Sequence, residues 1–354
     1  MKKLICILAL CLMVMACERR ELVELSNTHY VRVYVDEDIK NVTTGFYDDA
    51  YVKPAYKSPD VLRVMLADPE TGNVRAERFL RNKSKDERGT YYDGYIIADP
   101  GEYALLAYNF DTETTVIRNA NNHYGMLAST SEIASHLKTK IPSRATKSPD
   151  EDPEEITYDP DHLLAANCGS VYIPYSDVID TLRTPEGEYF HARSIVKSYY
   201  LQVRVKGIQY ASSSVGLLTG MSGSSWVHSG DINPDHPVTV YFEMLPGENS
   251  ATGLRRSNED EAIIYTTFGT FGKLPETENE LEITFDFLTV YGKAHSETIN
   301  ITDVFADPEA IEHQWLLIDH LIEIPEPPPM EGAEGSGFKP SVGPWGDVES
   351  DIII

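Results

Sequence analysis

Strict period-2 alternation of apolar and polar residues recurs along this chain and restricts its fold more than any other feature. In "YLQVRVKGIQ", Leu201, Val203 and Val205 alternate with Gln202, Arg204 and Lys206. Such a pattern puts all its apolar side chains on one face only in an extended strand; a helix would scatter them around its axis. "VTVYFEML" repeats it with Val238, Val240, Phe242 and Met244, and "LEITFDFLTVYG" with Leu281, Ile283, Phe285, Phe287 and Tyr291. Nearer the N-terminus it appears in "YVRVYVD" (Val31, Val33, Val35), in "VLRVML" and on both sides of the turn Asp99-Pro100-Gly101. Helical signals are few. Ser129 or Thr130 is a possible cap for "STSEIASHLK", and Asp307-Pro308 opens a short helix expected to hold Ile311 and Trp315. Many short strands with turns between them predict an all-β protein of two tandem antiparallel β-sandwich domains. The 21 tyrosines suit such sheets, each pairing an apolar ring with an exposed hydroxyl.

The two ends of the chain carry a different kind of signal. Lys2 and Lys3 precede an apolar run over residues 4–15, and Ala16 and Cys17 follow. The run falls well short of the roughly 20 residues needed to cross a bilayer, so it reads as a signal segment cleaved after Ala16. Val14-Met15-Ala16-Cys17 resembles a bacterial lipobox, in which the cysteine is acylated on sulfur and becomes the new N-terminus. At the other end, residues 325–346 hold six prolines and five glycines, a composition that forms no packed core. "WGDVESDIII" follows, with Val348, Ile352 and Ile354 on one face of a potential strand. Such a segment either folds back on its own sandwich or adds to a partner's sheet edge. The expected organisation is a signal peptide at 1–16, a first sandwich at 17–145, an acidic, proline-rich connection at 146–161, a second sandwich at 162–325 and a tail at 326–354.

Composition excludes several functions. The formal charge of −26 repels nucleic acid, whose phosphates require clustered Lys and Arg. Of the four cysteines, Cys6 and Cys11 leave with the signal, Cys17 is the lipid site and Cys168 stands alone, so neither a disulfide nor a thiolate metal site is expected. "TGMSGSSW" lacks the second glycine of a nucleophile elbow, because position 224 is Ser224. "GTFGKL" lacks the remaining residues of a P-loop, and the ten histidines show no metal-binding spacing. "DEDPEEITYDPD" has no glycine for the turn of a calcium loop. No catalytic residue, cofactor or metal is therefore expected.

The segments "LVELSNTHYVRVYVDEDI", "GEYALLAYNFDTE", "GLLTGMSGSSW", "LPETENELEITFDFLTVYG" and "IEIPEPP", in this order behind a lipobox, resemble the FimB-like fimbrillin-associated anchor lipoproteins of type V fimbriae. The resemblance implies two transthyretin-like sandwiches, attachment to outer-membrane lipid through Cys17, and a surface-exposed place at the fimbrial base. It also implies that the N-terminal strand around residues 31–35 stays in its own groove. Rod subunits of such systems lose that strand to an arginine-specific protease, whereas here only Arg19 and Arg20 precede Arg32. Fimbrial rod subunits become the implied partners, engaged by donor-strand insertion of residues 347–354. A surface glycan-binding lipoprotein of the same architecture is the alternative, with Trp226 and Trp345 as its candidate aromatic residues.

Overall fold

The computed structural model describes residues 27–36, 58–138, 154–176, 178–244, 253–256, 261–275 and 281–328. Its first sheet has nine strands: β1 (Thr28–Val35), β2 (Leu62–Ala67), β3 (Val74–Leu80), β4 (Asn82–Asp86), β5 (Gly89–Ile97), β6 (Gly101–Asn109), β10 (Leu164–Ile173), β11 (Asp180–Thr181) and β12 (Phe190–Ser194). They run in the order β3-β2-β6-β10-β12-β1-β5-β4, with β11 added beside β1. Val31, Val33, Val64, Leu66, Leu105, Ala107, Phe190 and Ala192, from strands far apart in that order, meet in one buried cluster. The sheet therefore curls over to supply both layers of its own sandwich.

The second sandwich uses two sheets. One is β17 (Gly253–Arg256), β18 (Glu261–Thr270), β13 (Lys197–Lys206) and β21 (Trp315–Glu323), in that order. The other is β20 (Ala294–Asn300), β19 (Glu282–Thr289), β14 (Ala211–Ser222), β16 (Pro237–Glu243) and β9 (Glu155–Tyr158). Leu201, Val203 and Val205 from the first face Val238, Val240, Phe242, Ile283, Phe285 and Phe287 from the second, all buried. The alternation read from the sequence thus assigns the inner faces as expected, except that β19 ends at Thr289 and leaves Tyr291 in the following turn, and the architecture is an all-β sandwich. A small sheet of β7 (Thr115–Arg118), β8 (Leu127–Thr130) and β15 (Ser224–Trp226) lies alongside. Its Ala128 packs with Met65, Leu106, Tyr108, Val196 and Phe271 in a cluster joining the two sandwiches.

The structure departs from sequence expectation in strand partnership. The reading closes the first sandwich at 145 and opens the second at 162. In the structure β9, within the expected connection, pairs in parallel with β16, and β10 then returns to pair with β6. Alternation identifies a strand but carries no information about its neighbour. For the same reason the parallel pairs β1–β12 and β13–β21, inside mainly antiparallel sheets, were not foreseen. Among the described residues the α-helices are α1 (Ser135–Lys138), α2 (Thr302–Ala306) and α3 (Pro308–His313). Asp307 caps α3 by accepting from the Glu309 amide at 3.0 Å, as expected. Trp315 is not in that helix, because Gln314 turns left-handed at φ 51° and Trp315 starts β21. Ser129 and Thr130 belong to β8 and cap no helix.

One acid of the expected connection, Asp159, is half-buried and turned toward the backbone of β18. Asp159 accepts from the Gly269 amide at 3.2 Å, and burial, with Asp161 and Glu243 nearby, pushes its carboxyl up to about 7. A folded-state value raised above the ordinary 3.8 makes the folded chain hold this proton between about pH 4 and 7. Stability from this group therefore falls as pH rises through that window. Asp159→Asn removes the ionisation, so it should stabilise the protein by about 2–4 kcal/mol at pH 8 and leave it nearly unchanged at pH 4. Thermal melts of variant and parent at the two pH values test this, and an equal difference at both would contradict it. Comparing the two proteins at one pH cancels His123 and His162, which burial pushes down to about 4 and which weaken both chains alike in acid.

Candidate functional site

β1 is the element on which the resemblance turns, and it is held from every side. Seven of its residues are in antiparallel register with β5, from Thr28↔Ile97 to Tyr34↔Tyr91. Its other edge takes β12 in parallel (Val33↔Phe190) and β11 (His29↔Asp180). The ladder continues past both ends: the Ala98 amide donates to the Asn27 carbonyl at 3.0 Å, and the Asp36 amide to that of Ala192 at 2.9 Å. Val31 and Val33 are fully buried on the inner face.

The outer face of β1 is also covered, by aromatic rings around one cation. The Arg32 guanidinium lies 3.9 Å from the centre of the Tyr91 ring and 5.3 Å from that of Tyr189. Tyr34 stacks on His191 with ring centres 5.2 Å apart and donates to the Asp86 carboxylate at 2.7 Å. Arg32 completes the group by pairing with Asp86 at 3.4 Å. Burial and then the bond to Asp86 push the Tyr34 hydroxyl up, while the Tyr34 bond holds Asp86 below its ordinary range. Burial alone would weaken the charge on Arg32, yet its bonds to Tyr30 and Tyr34 hold it above the usual guanidinium value. Each partner fixes another, so pulling out β1 would break a hydrogen-bonded ladder and this layer together.

The first and last described strands begin and end at opposite ends of this framework. β1 begins at the same end of the first sandwich as Ile97, Gly101 and Ile173, since Thr28 pairs with Ile97 and Ile173 with Gly101. The cluster joining the sandwiches holds Leu106 and Tyr108, toward the other end of β6. From there β13 runs from Lys197, beside Thr270, to Lys206, beside Glu323 at the end of β21. The Ile324 amide donates to the Lys206 carbonyl at 2.9 Å, and the following residues exit at the end of the second sandwich remote from the junction.

Of the residues singled out from the sequence, Ala16, Cys17, Val348, Ile352, Ile354 and Trp345 lie outside the described residues. Trp226 is half-buried in β15, where its backbone pairs with Leu127. Cys168 is half-buried, its thiol pushed up by burial and donating to the Ser170 carbonyl at 3.3 Å, as an unreactive thiol would. One unforeseen trio looks superficially catalytic: the Ser224 hydroxyl is 3.2 Å from His236 Nδ1, and His236 Nε2 is 3.8 Å from Glu155. Ser224 is completely buried, however, and Asn233 also donates to its hydroxyl at 3.1 Å, so no substrate reaches it.

Comparison with known proteins gives three results. The family model described as "Domain of unknown function (DUF5119)" matches residues 16–243. The chain is similar to a Bacteroides ovatus protein named "Putative fimbrium anchoring subunit Fim4B", with 24% identity over 362 residues, covering 96% of this chain and 94% of that one. A solved structure of an adhesin candidate from Bacteroides ovatus shares the fold at a TM-score of 0.51 and 18% identity, over 88% of this chain and 97% of the other. The resemblance to fimbrial anchor proteins read from the sequence is borne out by the name of the curated relative. With the family model spanning well over half its length, the chain belongs to the DUF5119 family.

Proposed function

We propose that this chain is a non-enzymatic structural protein, lipid-anchored at Cys17, that attaches fimbriae to the outer membrane at the cell surface by β-strand complementation. The observation that carries this reading is the polarity of the chain. β1 begins at one end of the first sandwich, and β21 ends at the far end of the second. A subunit tied to lipid at one terminus and to a filament at the other requires this arrangement. Retention of β1 in its own sheet also agrees with an anchor, whose groove needs no donor from below. The fimbrial role of the curated relative supports the same reading.

In this reading Val348, Ile352 and Ile354 enter the groove of the first rod subunit, and the proline- and glycine-rich stretch before them supplies the reach. Twenty-two extended residues span roughly 70 Å, enough to leave the parent sandwich. Deleting residues 347–354 should leave the anchor in the membrane fraction while rods are shed into the medium. Quantifying rod protein on cells and in supernatant decides the matter, and rods retained at parental levels would refute the donor role.

A further inference from the structure

We propose that the end of the first sandwich where β1 begins is a bilayer-contacting surface, on which Ile97, Tyr172, Tyr175, Val178 and Ile179 enter the interfacial region of the membrane. The proposal rests on the reading of Cys17 as a lipid site, because that lipid brings the surface to the bilayer.

Strand register brings these residues together. Ile97 ends β5 opposite Thr28, Tyr172 lies opposite Glu102 near the end of β10, and Tyr175, Val178 and Ile179 lie in the segment between β10 and β11. Asp180, next in sequence, is the partner of His29 at the start of β1. All five are open to solvent: Ile97 is 65% exposed, Tyr172 72%, Tyr175 74%, Val178 72% and Ile179 41%. Together they present on the order of several hundred Å² of apolar surface at one pole, which exceeds the scattered hydrophobic residues normal on a protein surface.

Chain length selects the occupant. Ten residues separate Cys17 from Asn27, so an anchored sulfur lies at most about 36 Å from the start of β1. This pole is thus the part of the described fold closest in sequence to the membrane. The side chains suit that position, with tyrosine rings at headgroup level and aliphatic groups beyond them. Among the described residues the charges alongside are Asp68, Asp99, Glu102 and Asp180 against Arg75 and Arg183, and Asp177 stands in the same segment of the sequence. Acids outnumber bases, so the contact is apolar and draws nothing from anionic lipid.

The test uses the mature chain from residue 17 and vesicles of zwitterionic phosphatidylethanolamine and phosphatidylcholine. With Cys17→Ser, the unlipidated chain should float with vesicles at millimolar lipid, unaffected by 1 M salt and not enhanced by anionic lipid. Tyr175→Ser, Val178→Ser and Ile179→Ser together should reduce that binding at least tenfold with an unchanged melting temperature. Absence of parental binding, or binding that salt abolishes, overturns the proposal, as does self-association of the unlipidated chain that the triple variant removes. In the lipidated chain, an environment-sensitive dye on Val178→Cys, in a Cys168→Ser background, should be quenched by brominated lipid. A membrane-bound chain without quenching overturns the contact and leaves the anchor standing. A chain with intact Cys17 that stays soluble overturns the anchor, and flotation of the unlipidated chain still decides the contact.

Discussion

Val33→Asp should unfold the first sandwich and open the chain to cleavage after Arg32. Val33 is fully buried in mid-strand, opposite Tyr92 of β5 and Phe190 of β12, within the cluster that holds the curled sheet together. An unpartnered carboxylate there costs about 4 kcal/mol or more, a large part of the 5–15 kcal/mol that stabilises a typical domain. Val33→Ala loses only packing, about 1–3 kcal/mol, and should stay folded. An arginine-specific protease provides the readout, because it needs an extended, released strand. In the parent, the Arg32–Val33 bond is locked in ladders on both edges, and the arginine is covered by Tyr91 and Tyr189. Limited digestion should leave parent and Val33→Ala intact at this bond, and cut Val33→Asp quickly. Rapid native cleavage of the parent after Arg32 would mean that β1 is not held, and the distinction between anchor and cleavable rod subunit would fail.

What the sequence reveals about β1 is the inner face and little more. Val31, Val33 and Val35 announce themselves by parity, because facing in or out is a local property of a strand. Tyr34 has outward parity yet is only 2% exposed, since Tyr189 and His191, more than 150 residues away, close over it. No window of sequence contains that contact. The second sandwich was legible for the same local reason, and the assignment of β9 to it and of β10 to the first was not. Acid-rich composition suggested a solvated connection around Asp159, where packing between sandwiches instead buries the carboxyl. The exposed pole was likewise invisible, because Ile97, Tyr172, Tyr175, Val178 and Ile179 come to one end only through strand register. The readings of Cys17 and of the tail, which lie outside the described residues, rest on local patterns of apolar and charged residues alone.

The crossing between sandwiches supplies the other large effect, at Gly269 in β18. A Cβ at this position would lie 2.4 Å from the Pro160 carbonyl oxygen and 3.1 Å from a Val196 methyl. The closest atom is backbone, so no rotamer change relieves the clash. Moving Pro160 is also obstructed, because Asp161 beside it accepts from the amides of Glu113 and Thr115 at 2.8 and 2.9 Å. Moving β18 instead lengthens the Gly269 bond to Asp159 and disturbs Val196 and Phe271 in the joining cluster. Gly269→Ala should therefore destabilise by about 3 kcal/mol or more, at the upper end for overpacking, lowering Tm by roughly 6–12 °C. Gly169→Ala is the control: its added methyl meets nothing within 4 Å, and Tm should stay within about 2 °C of the parent. Because the strain falls where the chain passes between sandwiches, Gly269→Ala should also split a single calorimetric transition into two. A single transition at the parental Tm would show that the approach of Pro160 to β18 is not tight enough to couple the sandwiches, and the rigid link that the proposed function needs between its two ends would lose its physical basis.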